Sequence, residues 1–228
     1  FENNQSDFSV LYFLLSNVEI SNSTFVNNRA DGAFGNLLHN DSSVLNLSNV
    51  SMTDNTVEGA VVQQNVVDFE AAAGLLTHVT IAENVAQNLI TLNGGTLDLS
   101  NSLLADPEAG PSIICNGSDL GLGIASSLGG NILTTDSGCL TPLSADRSTA
   151  QPRLGPLLSY PGGLQARMPL ANSPAVGKAL LTNCLERDAI GRVRPFNGDR
   201  DGVPECEAGA LEFIPAWIFS NGFEVGNP

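Results

Sequence analysis

The acids most closely spaced for chemistry lie near the C-terminus, in NGDRDGVPECE (197–207). Asp199, Asp201 and Glu205 on a glycine-turned loop offer oxygen ligands suited to Ca²⁺. The stretch lacks the twelve-residue calcium-loop pattern, so an ordinary solvated turn is the simpler reading. Four cysteines form two sequence neighbours, Cys115 with Cys139 and Cys184 with Cys206. Four cysteines allow three pairings, and spacing does not choose among them. No C-x-x-C knuckle is present, so disulfides and an oxidising compartment are expected. Each closed loop would contribute about 3 kcal/mol in the chain-entropy picture. The two histidines, His39 and His78, sit in acidic, Asn-rich stretches and read as surface residues. No Ser-His-Asp set, His-Glu-x-x-His or phosphate loop occurs.

The elements that would position such groups follow from composition and repetition. Of 228 residues, 42% are hydrophobic, enough for a sizeable core, but only 14% are charged, against about 25% in an average globular chain. Asn, Ser and Thr must supply the polar surface. Residues 1–146 hold sixteen acids and one base, Arg29, whereas 147–228 hold eight of each. The net charge of −15 therefore sits entirely on the first part, and the chain changes character near residue 146. Such acidity disfavours nucleic acid and anionic membrane as partners. No apolar run reaches the roughly 18 residues that span a bilayer, and no signal peptide is visible.

A phrase recurs: NSTFVNN (22–28), NVSMTDN (49–55), HVTIAEN (78–84) and NSLLADP (101–107), with a truncated echo in FENN at the start. Aligned on the central apolar residue, the series is Phe1, Phe25, Met52, Ile81 and Leu104. Its unequal spacing suits coils whose turns absorb insertions. Alternating stretches such as VEISNSTF and TLDLSNSLL mark half-buried strands, and Asn, Gly and Asp between them tolerate left-handed corners. DFEAAAGLL (68–76) is the best helical candidate and reads as an insertion. The fold expected is an all-β parallel β-helix, each coil laid on the last about 4.8 Å away. Phe1, Phe25, Met52, Ile81 and Leu104 would form one interior ladder. Asn4, Asn28, Asn55 and Asn84 would form another at a corner, their amides bonded along the axis. The earlier turns of the solenoid are expected upstream of Phe1.

From about Pro111 the pattern loosens. Gly129-Gly130-Asn131-Ile132, Leu154-Gly155-Pro156-Leu157 with Gly162-Gly163, and Asn172-Ser173-Pro174-Ala175-Val176-Gly177 come first. Asp188 with Gly191, Arg194-Pro195 and Cys206-Glu207-Ala208-Gly209-Ala210-Leu211-Glu212 follow. In order and spacing, residues 115–213 resemble the choice-of-anchor Q C-terminal region of bacterial exported β-helix proteins, relatives of polymorphic outer-membrane and adhesin-like repeat proteins. Ala189-Ile190 stands where that family has Gln-Arg, and Gly177-Lys178 where it has Asp-Ala. The resemblance implies a right-handed, pectate-lyase-like β-helix displayed at the cell surface, and it implies no catalytic activity. The final AWIFSNGFEVGNP resembles a short Phe-Glu-containing tail of exported proteobacterial proteins.

Three parts are expected: coils over 1–146, a disulfide-stapled module over 147–213 that covers the open end of the solenoid, and a tail over 214–228. The function expected is a non-catalytic extracellular or cell-surface structural or adhesion protein. Its Asn-, Ser- and Thr-rich faces would contact carbohydrate or another protein, and end-to-end stacking would give an oligomer or filament. The alternative is a polysaccharide lyase or hydrolase. Lyases of this fold need Ca²⁺ carboxylates beside an Arg or Lys base, and the coils offer only Arg29. Hydrolases need clustered aspartates, and Asp54 and Asp98 stand isolated on different phases.

Overall fold

A computed structural model describes residues 1–32, 35–58, 64–105, 113–118, 121–133, 138–149, 151–198 and 201–215. The chain winds as a parallel β-solenoid of about four turns. Three sheets run along its axis. The first is built from Ser9–Leu14, Asn36–Asp41, the leading halves of Asn65–Thr77 and Asn88–Ser100, and Ile113–Ser118. The second takes the leading halves of Asn17–Val26 and Val44–Thr53, the trailing halves of Asn65–Thr77 and Asn88–Ser100, and Ile124–Gly129. The third takes the trailing halves of Asn17–Val26 and Val44–Thr53, then Thr80–Ala82, Leu103–Ala105, Ile132–Leu133 and Arg147–Ser148. Gln5–Ser6, Arg29–Ala30 and Thr56–Val57 form a small fourth sheet.

Corners repeat because a residue at each bend adopts positive φ, a backbone that Asn and Asp tolerate better than most side chains. Leu15, Ser42 and Ala71 turn the chain from the first sheet to the second. Asn22, Asn49, His78 and Asn101 turn it onto the third, with Gly130 (φ 75°) completing the stack. Asn27, Asp54 and Glu83 turn it off again. The helix expected over 68–76 is instead part of strand Asn65–Thr77. That strand is paired along its length with the coils on both sides. Ladder pairing and the burial of Val66, Val67, Phe69 and Leu76 override the helix propensity of the alanines, and Ala71 is itself a corner (φ 48°).

The register stacks Phe25 on Met52, Met52 on Ile81, Ile81 on Leu104 and Leu104 on Leu133. All five are buried, and truncating one to Ala costs about 2–5 kcal/mol. Phe1 extends the row, its ring stacked 4.7 Å from Phe25, but it is 56% exposed because nothing among the described residues lies beyond it.

The start of the expected C-terminal segment, Arg147–Ser148, pairs with Ile132–Leu133 at the end of the third sheet. The last rung is covered by residues 138–149, through Arg147–Ser148 and the Ser126–Thr141 bridge. Residues 154–198 and 201–213 run back along the outside of the third sheet. The hairpin Leu154–Ser159/Gln165–Pro169 reaches the first coil, where the Gln165 amide donates to Glu2 at 2.9 Å. The reason is in the strands: STFV (23–26), SMT (51–53), TIA (80–82) and LLA (103–105) put small or apolar side chains outward, and both faces of this sheet are buried. Ala175 and Ala208 pack against Ala82, Leu103, Ala105 and Ile132. Gly209 (φ 96°) is needed where the segment touches, since a Cβ there would meet Thr80 Oγ1 at 2.5 Å. Disulfides join Cys115 to Cys139 and Cys184 to Cys206.

Candidate polar site on the first sheet

Along a strand, side chains alternate between faces; across a parallel rung, equal positions align. On the first sheet those two rules gather chemistry. Tyr12, His39, Asp68 and Thr91 occupy one outward row, and Leu14, Asp41, Glu70, Asn93 and Asn116 occupy the next. The Asp68 Oδ2 lies 2.9 Å from His39 Nδ1, and Glu70 Oε2 lies 3.6 Å from His39 Nε2. Tyr12 stacks on the imidazole with centroids 5.1 Å apart and donates its hydroxyl to Asp41 Oδ2 at 3.0 Å. Asn93 donates to Asp68 Oδ1 (3.3 Å), and Asn116 donates to Asn93 Oδ1 (3.1 Å), so the polar row continues along the axis. Phe8 and Tyr12, about 45% exposed, leave an aromatic surface beside the carboxylates.

Two charge effects follow. Burial works against a charged His39, but the hydrogen bond to Asp68 and the charges of Asp68, Glu70 and Asp41 together raise its pKa. The Asp41 hydrogen bond raises the Tyr12 phenol and keeps it a donor. Beside this row, the corner of Ser42, Ser43, Ala71, Ala73 and Thr96 lines a shallow groove of about 450 Å³.

Below the surface, asparagines hold the coils. Asn4 donates to Asn28 Oδ1, Asn28 to Asn55 Oδ1 and Asn55 to Asn84 Oδ1, each at 2.9 Å. Asn4 is exposed; the other three are buried. A second stack, Asn36–Asn65–Asn88, opens the strands of the first sheet, with amide contacts of 3.2 and 2.8 Å. The sequence carried its signal, since NLLHND, NVVDFE and NLITLN each begin on Asn.

Several expected positions land differently. Neither histidine is a surface residue. His39 is 8% exposed under Tyr12, and His78 is fully buried beneath the C-terminal segment. Strand alternation placed His39 outward, but neighbouring rungs and aromatic rings cover it. His78 takes a proton acceptor's role toward Asn101 through Nε2 and faces the Gly209 carbonyl through Nδ1, both at 3.2 Å. Those partners assign the neutral Nδ1–H tautomer, and burial, helped by the Arg194 charge, pushes its pKa down to about 3. The isolated acids stay isolated: Asp54 is engaged by Arg167 through both carboxylate oxygens, and Asp98 is exposed on the second sheet. Arg29 bridges Asp31 (2.9 Å) and Glu58 (3.2 Å) as an exposed ion pair. The carboxylates that do cluster are Asp41, Asp68 and Glu70, since HND (39–41) and DFE (68–70) meet only through the cross-rung register, which no local sequence pattern carries.

Of the Ca²⁺ candidates, Asp199 lies outside the described residues. Asp201 accepts the Val203 amide at 2.7 Å, a tight-turn contact. Glu205 is backbone-paired with Phe196, and its carboxylate sits against Gly177. The expected tail is described only to residue 215, so Trp217 and Phe219 also lie outside. Among the described residues no helix is long and apolar enough to cross a membrane. Comparison with family models, curated proteins and solved structures finds no match for this chain.

Proposed function

We propose that the protein is a non-catalytic extracellular or cell-surface adhesion scaffold whose first sheet takes a polysaccharide. The observation that supports this is the outward row of Tyr12, His39, Asp41, Asp68, Glu70, Asn93 and Asn116, flanked by exposed Phe8. Aromatic faces pack the apolar faces of sugar rings, and carboxylates and amides take their hydroxyls. Repetition of the row along the solenoid axis suits a repeating ligand. Its acidity favours neutral or amino sugars over acidic ones. Both disulfides, with no free cysteine among the described residues, suit an oxidising exterior. The choice-of-anchor Q resemblance of residues 115–213 supports surface display. A screen against neutral, amino and acidic polysaccharides tests the proposal. Tyr12→Ala should lose the retained ligand, and retention unchanged in that variant would end the reading.

A second reading, a polysaccharide hydrolase, draws on the proximity of Asp41 and Glu70. Reducing-end release that vanishes in Glu70→Gln would establish it in place of the first. End-to-end assembly draws on the strands of the first coil: Ser9–Leu14 and the leading half of Asn17–Val26 are paired on one edge only among the described residues. Small-angle scattering of the purified chain separates a filament from a monomer.

A further inference from the structure

We propose that His39, Asp41 and Glu70 form a binding site for a divalent transition metal of the Zn²⁺ type, with Asp68 as its positioning residue. The inference is independent of any sugar ligand. Parallel register puts His39 beside Asp68 and Asp41 beside Glu70, and strand alternation puts all four outward. One ligand atom from each of His39, Asp41 and Glu70 lies within 4.8 Å of the other two.

The histidine is held as metal-bound histidines are. Its Nδ1 faces the Asp68 carboxylate at 2.9 Å, shorter than its 3.2 Å contact with the Asn36 amide, and Asp68 is in turn fixed by Asn93. A buried carboxylate on Nδ1 directs the proton there and presents Nε2 as an outward lone pair. That nitrogen faces Glu70 Oε2 at 3.6 Å, too long for a hydrogen bond. Two ligands of a tetrahedral ion with bonds of 2.0–2.1 Å sit about 3.4 Å apart, so the gap fits a shared ion. Asp41 is oriented by Tyr12 and by the Ser42 hydroxyl at 2.8 Å. Three protein ligands and the half-exposed side of Glu70 leave a fourth position open to water or a ligand. One imidazole with two carboxylates is a borderline donor set, matched to Zn²⁺ or Co²⁺ rather than to Ca²⁺, which takes six to eight oxygens.

Calorimetric titration of the full, oxidised chain with ZnCl₂, alongside the visible absorption of added Co²⁺, tests this. One equivalent of Zn²⁺ should bind, and Co²⁺ should show the intense bands of a low-coordinate, imidazole-containing site. His39→Ala should abolish both signals. Glu70→Gln, at a half-exposed position that leaves folding intact, should weaken binding at least tenfold. Asp68→Asn should weaken it by 10–100-fold while keeping the Co²⁺ spectrum, which separates positioning from ligation. Asp98→Asn on the second sheet should change nothing. Absence of Zn²⁺ binding, undiminished binding in Glu70→Gln, or tighter binding of Ca²⁺ than of Zn²⁺ would each overturn the proposal.

Discussion

The first and third sheets are made by the same coils, yet they meet opposite fates. On the third, outward positions are Ser, Thr, Ala, Val and Leu, and the chain's own C-terminal segment lies over them. On the first, outward positions are Tyr, His, Asp, Glu and Asn, and their far side faces solvent at Tyr12 and Glu70. A solenoid offers several long faces from one repeat, and the outward residue at each rung decides whether a face is sealed or left exposed. The seal is polar at its centre. Arg194 Nε lies 2.6 Å from Glu212 Oε1, both fully buried, and the Arg194 guanidinium also donates to the Gly209 carbonyl and Asn49 Oδ1. Burial, together with neighbouring Glu212, raises the pKa of the Glu207 carboxyl in the seal.

Acid should distinguish the two sheets most strongly. His78 under the seal has a folded pKa near 3, below the unfolded value of 6.5. Between those values the unfolded chain binds the extra proton, so the stability present above pH 6.5 is lost as pH falls toward 3. The loss is on the order of 4 kcal/mol. Asn occupies the same corner at 49 and 101, so His78→Asn keeps the backbone and removes the proton site. Urea unfolding of both proteins at pH 7 and pH 3 should show that differential; parallel pH profiles would remove His78 from the account.

Next in size is the ion pair. Arg194→Ala leaves Glu212 buried without its partner and should cost about 3–5 kcal/mol. Limited proteolysis should then cut within 152–213 while the coils survive; simultaneous loss of both regions would show that the seal is part of the solenoid's own stability.

Asn55→Ala, in the buried middle of the corner ladder, should cost about 2–3 kcal/mol by removing the Asn55 partner of the Asn28 backbone N–H, the Asn28 side-chain amide and the Phe25 carbonyl. Asn4→Ala at the exposed end should cost well under 1 kcal/mol, and chemical denaturation of the two variants measures the gradient. Smallest on stability is Tyr12→Ala, expected within about 0.5 kcal/mol by the same assay, because the first sheet's outer row is not what holds the coils together.

Much of this was legible in the sequence. The phrase NSTFVNN and its relatives gave the coil register, because Phe25, Met52 and Ile81 must face inward together, and the corner asparagines followed from it. What stayed hidden lies between coils or far along the chain. Asp68 and His39 are 29 residues apart in sequence and adjacent across a rung, a relation carried by loop lengths rather than by local pattern. His78 reads as polar and is buried only because residues near Gly209 return to cover it, 131 positions later. DFEAAAGLL misleads for a related reason: its alanines bend a corner, and the partners that make it a strand are in other coils.

We propose that the first sheet is the open, recognising face; the third is the sealed one. Hydrogen–deuterium exchange with the retained polysaccharide bound tests it most directly. New protection should appear over residues 8–14, 36–41 and 65–70, with the third-sheet strands equally protected before and after. Protection confined to the second sheet, or slowed exchange along 50–53 and 80–82 on binding, would contradict it.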